Sequence, residues 1–292
     1  LLFLLISILL YCLQNITNKA FSRHFPVRLG GIILLDALAM SIVVLVFGLA
    51  GRAGRLEPAQ LLYAFIFSAV YALTIITLQG AIASGPLGAT ILLNNIYMIF
   101  PVIFSLIFFQ EVATVPKVIG IGCMFAVAIL SAPRDSQMES GQKKASLRWF
   151  LLTCATTLGN GTLTIMKRSL SWLYPEVSPA AFTFWGFLFF AIICWLLVII
   201  MRLRHFDFSV WTADPKALGL SALGVGVATS GGTLFQLLAL QTVPAIVVFP
   251  LNAGGLIIIL WLYALIVYKD KVRPVNLVAL AFGLSGAVLL SI

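Results

Sequence analysis

Apolar runs recur along the whole of this 292-residue chain, separated by short polar breaks. Runs of about 20 residues are long enough to cross ~30 Å of hydrocarbon as helix. They lack the apolar–polar alternation of barrel strands. The expected spans are 1–21, 29–51, 60–83, 87–109, 118–132, 147–166, 179–201, 217–240, 245–268 and 275–292. The first run has no basic leader and no small-residue cleavage site after it, so it reads as a span and not a signal peptide. Residues 133–146 form the one clearly hydrophilic segment and read as a linker. The pattern predicts an all-α integral membrane protein of ten transmembrane helices. Residues 1–132 form a first five-helix repeat and residues 147–292 a second.

The two halves share a layout. Gln79 opens one copy and Gln236 the other, a shift of 157 residues. Each is followed by a short break, Ser84-Gly85-Pro86 or Thr242-Val243-Pro244. A long apolar run then carries Asn95 or Asn252, again 157 residues apart. It ends in a charged corner, Gln110-Glu111 or Lys269-Asp270-Lys271, followed by Pro116 or Pro274. A repeat of fixed period in a membrane chain points to transporter architecture. An odd number of spans per half makes the second half enter from the opposite face, so the repeats are expected to be inverted.

Composition sharpens the membrane reading. Hydrophobic residues make up 62% of the chain and charged residues 9%, and the mean hydropathy is +1.12. Soluble domains carry roughly 25% charged residues. The net charge of +9 reads as loop lysine and arginine at the membrane surface. Cys12, Cys123, Cys154 and Cys194 have no metal or redox spacing, and His24 and His205 lie near span ends outside any His-Glu-x-x-His arrangement. No enzyme, metal, cofactor or nucleic-acid partner is expected. The partners expected are a small-molecule substrate and the lipid bilayer.

The segments Ala83 to Ala89 (Ala-Ser-Gly-Pro-Leu-Gly-Ala) and Ala239 to Ala245 (Ala-Leu-Gln-Thr-Val-Pro-Ala) carry a family likeness. With the acidic corner at Glu111 and the following Gly120-Ile-Gly122, they resemble the drug/metabolite transporter superfamily, in its ten-span EamA-like branch. The corner at Lys269-Asp270-Lys271 is more basic than the family's usual one. The resemblance implies a secondary-active carrier working by alternating access, an exporter of a small polar metabolite such as an amino acid or amine. It implies that spans one to four and six to nine surround a central cavity. Spans five and ten would brace it or mediate contacts in a homodimer. It also implies a multi-pass protein of a bacterial plasma membrane with cytoplasmic termini. The charge distribution points the other way. The face carrying Arg52, Arg55, Lys117, Lys167 and Arg168 is the poorer in basic residues, and the positive-inside rule puts the opposite face in the cytoplasm. A lipid-linked-sugar or headgroup flippase and a non-transporting sensor or scaffold are the alternative functions.

Asp36 is the only acidic residue well inside an apolar run. Facing lipid, it would cost at least ~2.5–3.5 kcal/mol. It therefore reads as a proton-coupling group or the anchor of a cationic substrate, or else as a structural ion pair with Lys19. Three amide pairs recur in the two halves: Asn15 with Asn160, Gln79 with Gln236, and Asn95 with Asn252. They read either as glue between helices or as neutral donors and acceptors around a midplane cavity. Asn94 and Tyr97 flank the same patch, and Trp185 is a candidate wall of an aromatic cage for a cation. Pro101 is expected to kink span four. Gly224, Ala228 and Gly232, at every fourth position, are expected to let a neighbouring helix approach. Lys167 and Arg168 read as snorkelling to the surface at the end of span six, and Glu111 with Lys117 as a weak corner ion pair.

Overall fold

The computed structural model describes residues 1–25, 29–51, 53–130, 146–204, 214–268 and 274–291. The turn at 26–28, the linker apart from Ser146, His205 and the corner at 269–271 lie outside the described residues. The helices are α1 (Leu2–His24), α2 (Leu29–Leu49), α3 (Pro58–Ser84), α4 (Leu87–Asn95), α5 (Ile99–Phe108), α6 (Val115–Leu130), α7 (Leu147–Leu173), α8 (Pro179–Leu203), α9 (Pro215–Leu240), α10 (Ala245–Tyr268) and α11 (Pro274–Ser291). A single 3₁₀ turn, Ile96–Met98, joins α4 to α5. There is no strand among the described residues. The chain is an all-helical membrane protein. Among the described residues, six stretches are long and apolar enough to cross a bilayer: Leu2–Ser22, Leu29–Leu49, Pro58–Ser84, Pro179–Leu203, Pro215–Leu240 and Ala245–Tyr263. Shorter apolar helices run over Leu93–Phe108, Val115–Leu130 and Leu277–Leu290.

Local chemistry explains where the helices start and stop. Glu57 and Gln60 form a capping box at the head of α3, with the Glu57 N–H donating to Gln60 Oε1 at 3.0 Å. Ser146 caps α7 by accepting the Trp149 N–H, and Asp214 caps α9 by accepting the Ala217 N–H. The helix α7 runs past the expected end at Met166 as far as Leu173. Charge does not stop a helix; the restriction that Pro175 places on Tyr174 does. The break in span four falls at Ile96–Met98, ahead of Pro101. Proline has no N–H for the carbonyl four residues back, here that of Tyr97, and its ring crowds that carbonyl. The backbone tightens there into 3₁₀ geometry.

The main helix pairs are α1 with α9, α3 with α7, α2 with α8, and α6 with α11. Further contacts join α2 to α9, α3 to α8, α1 to α10, and both α4 and α5 to α7. The α1–α9 seam is antiparallel and built on small residues. A Cβ placed on Gly224 would meet Thr17 Cγ2 at 2.9 Å, and one on Gly232 would meet Tyr11 Cε1 at 2.8 Å. Ala228, between them, is fully buried. The close approach expected of this triplet is what the packing shows. A second antiparallel seam joins α6 to α11, where a Cβ on Gly120 would lie 3.1 Å from the Gly286 carbonyl oxygen and one on Gly286 would lie 3.1 Å from that of Gly120. Leu45, Leu49, Ile107, Ile129, Leu203 and Leu220 are among the large apolar side chains left on the outside, as a lipid-facing surface requires.

Candidate functional site

A cavity of about 510 Å³ opens between α1, α2, α3 and α7. That volume lies within the roughly 300–1,000 Å³ usual for small-molecule sites. Helical spacing builds its walls. Gln14, Asn18 and Ser22 recur every fourth residue on one face of α1, and Tyr71, Ile75, Gln79 and Ile82 follow one face of α3. Asp36 comes from α2 and Asn160 from α7. Asp36 is half-buried and is the one charged residue in the lining among the described residues. Salt bridges among the described residues join His24 to Asp214 and Arg168 to Glu111. The lining thus offers one carboxylate, one phenol, two hydroxyls and four amides to a bound solute.

Of the residues singled out from the sequence, Asp36, Gln79 and Asn160 line the cavity. Asn94 stands directly behind it and accepts a hydrogen bond from Asn160 Nδ2 at 2.9 Å. The others do not line it. Asn15 is exposed, its amide donating to the Tyr11 carbonyl one turn back in its own helix at 2.8 Å. Asn95 and Tyr97 sit at the break between α4 and α5. Asn252 is buried on α10, and its Oδ1 has no hydrogen-bond partner among the described residues. Trp185 donates to the Gly54 carbonyl at 2.9 Å, a contact between loop and helix end rather than a cage wall. Gln236 is buried and engaged by Lys167. The paired amides therefore do not converge on one cavity.

Two expectations about charge are corrected. Lys167 does not snorkel. It is 8% exposed, and its ammonium donates to Gln236 Oε1 at 2.9 Å and to the Tyr11 hydroxyl at 3.2 Å. Because α7 continues to Leu173, Lys167 lies inside the helix and not at its end. Tyr11 completes the cluster with bonds to Gln236 Oε1 and Thr233 Oγ1, each 3.2 Å. Glu111 pairs with Arg168, at 2.8 Å, and not with Lys117. It also accepts the first free N–H groups of α10, from Ala245 at 3.0 Å and Ile246 at 2.9 Å. Arg168 Nη1 donates to the Leu240 carbonyl at the end of α9. One ion pair thus satisfies both helix ends at the α9–α10 corner.

These contacts give the bundle two unlike ends. The cavity lies in the half nearest the α1–α2 and α3–α4 corners, as its residues on those helices show. The other end is tied by Glu111 to Arg168, by Gln60 Nε2 to Glu176 Oε1 at 2.9 Å, and by Trp185 to Gly54. The sequence carried signals for what was missed. Gln14 and Asn18 have helical spacing on a face turned inward, and Lys167 lies two helical turns from Asn160 with no breaker between.

No family model matches the chain, and no curated protein matches it. Among solved structures, one described only as "Crystal structure of protein" matches over 99% of this chain and 98% of its own length, with a TM-score of 0.73 and 15% sequence identity. The fold of this membrane protein is therefore shared, along essentially its whole length, with a protein of known structure.

Proposed function

We propose that this protein is a secondary-active carrier of the drug/metabolite transporter type, exporting a small polar metabolite that bears an amine. The observation that carries the reading is the cavity: enclosed by four helices, sized for a small solute, with the Asp36 carboxylate as its one charge amid neutral donors and acceptors. A carboxylate held among apolar helices gains by meeting a cation, which a protonated amine supplies. Alternating access is supported by a cavity set in one half of the bundle, with helix corners of the other half tied by Glu111 to Arg168 and by Gln60 to Glu176.

Two inverted five-helix repeats are the architecture of this reading. Helix packing supports it. Exchanging the halves turns the α1–α9 pair into α7–α3, turns α2–α9 into α8–α3, and returns α2–α8 and α6–α11 to themselves. The set of main pairs is the same after the exchange, as a two-fold relation requires. The experiment is a thermal-shift screen of the purified protein against amines, amino acids, nucleosides and sugars, followed by flux of any hit in liposomes. A ligand of the folded state raises apparent stability by RT ln(1 + [L]/Kd). Amines and amino acids should shift the protein and then move across the bilayer. Binding without flux would make it a sensor, and shifts confined to sugars or nucleosides would remove the role given to Asp36.

A further inference from the structure

The Lys167 ammonium has no acidic partner among the described residues. Its hydrogen bonds go to the neutral oxygens of Gln236 and Tyr11, and the Tyr11 ring centroid lies 5.7 Å away. The nearby carboxylate, Glu111, is taken by Arg168. An ammonium without a counter-charge inside an apolar bundle is costly, and an arriving anion offsets that cost. The cluster adjoins the cavity. Asn160 on the cavity wall and Lys167 are seven residues apart on α7, hence on one face and about 10.5 Å apart along the axis. Gln14 on the wall and Tyr11 are neighbours on one face of α1.

Resting on the carrier reading above, we infer that Lys167, Tyr11 and Gln236 form an anion-accepting subsite at the inner end of the cavity. It takes the carboxylate of a zwitterion whose ammonium goes to Asp36. The Gln236 and Tyr11 oxygens hold the Lys167 ammonium in place while the site is empty, and the carboxylate adds to this set as a charged acceptor. The substrate class is a solute with both an amine and a carboxylate, and the simple amine of the same skeleton is the poorer ligand.

The test compares two matched pairs by isothermal titration on the purified full-length protein: leucine with isoamylamine, and 6-aminohexanoate with hexylamine. In at least one pair the amino acid should bind about tenfold or more tightly than its amine, the worth of one charge-assisted hydrogen bond. Lys167→Gln should bring that ratio to about one by weakening the amino acid's binding. Tyr11→Phe, which keeps the ring and the charge, should lower the ratio by a smaller factor. Should Lys167→Gln fail to fold, the wild-type ratios and Tyr11→Phe still decide. Amines bound as well as amino acids by the wild type, or a ratio that survives Lys167→Gln, would overturn the subsite and leave the carrier reading intact. No binding of any of the four compounds would overturn both.

Discussion

Arg168 and Glu111 stand 77 and 134 residues before Ala245 at the α9–α10 corner that they close, and they meet there at 2.8 Å. The Glu111 side chain is 7% exposed and that of Arg168 19%. Removing one partner of such a pair leaves the other buried without compensation, at a cost of about 3–5 kcal/mol. Glu111→Ala should therefore lower the thermal unfolding temperature in detergent sharply, and the double change with Arg168→Ala should cost less than the two single changes added. Additive losses would show that the pair is not coupled.

Asp36→Asn keeps the shape of the side chain and removes its charge and its titration. Amine affinity should fall by about tenfold or more, as loss of a charged hydrogen bond predicts, and the pH dependence of flux in liposomes should flatten. Flux that matches the wild type at every pH would remove Asp36 from both binding and coupling.

Two glycines of α6 should answer differently to the same change. A Cβ on Gly120 would sit 2.9 Å from Leu290 Cγ and 3.1 Å from the Gly286 carbonyl oxygen, whereas one on Gly122 meets nothing within 4 Å. Gly120→Ala should cost about 1–3 kcal/mol through overpacking, and Gly122→Ala should be neutral or slightly stabilising through better helix propensity. Equal melting temperatures for the two variants would contradict the α6–α11 seam.

At the mouth of the bundle, the Ala217 N–H and the His24 ring hold Asp214 below the usual carboxylate range. A carboxylate whose folded pKa is depressed stabilises the fold above its unfolded pKa, near 3.9, and loses that contribution as pH falls through the folded value. Asp214→Ala should thus lower the melting temperature at pH 7, and the gap from wild type should narrow as the pH falls below the unfolded pKa. A gap that persists at low pH would assign the effect to packing.

Much of this fold was legible. The apolar runs fall on helices, six of them among the described residues long and apolar enough to cross a bilayer, and the fourth run is broken at Ile96–Met98. The Gly224, Ala228 and Gly232 seam was readable because a missing side chain has one steric consequence wherever it falls. The site was less so. Asp36 was found by its cost in lipid, and Gln79 and Asn160 by their polarity. The amide pairing failed as a guide because an amide is satisfied by any neighbour: Asn15 turns back on its own helix and Gln236 takes Lys167. Lys167 was misplaced because a run of hydropathy was ended at the first charges, where the backbone continued to Leu173.

Orientation is open to a direct measurement. The resemblance to the drug/metabolite transporters places the linker outside the cell, and the charge count places it inside. With the native cysteines replaced, Ser140→Cys should react with a membrane-impermeant maleimide on whole cells if the resemblance holds. Protection until the cells are opened would reverse the topology.

The 3₁₀ turn at Ile96–Met98 makes α4 a lever. Its nine residues reach about 13.5 Å from that turn to the α3–α4 corner. A rotation of only ~10° at the turn would swing the far end by roughly 2 Å, the scale on which packed helices shift between states. Pro101 removes a rung of the backbone ladder at this turn, and Asn94, on the short arm beside it, accepts a hydrogen bond from Asn160 of the cavity wall. Bending of span four is thereby geared to the shape of the site, with no need for any other helix to break.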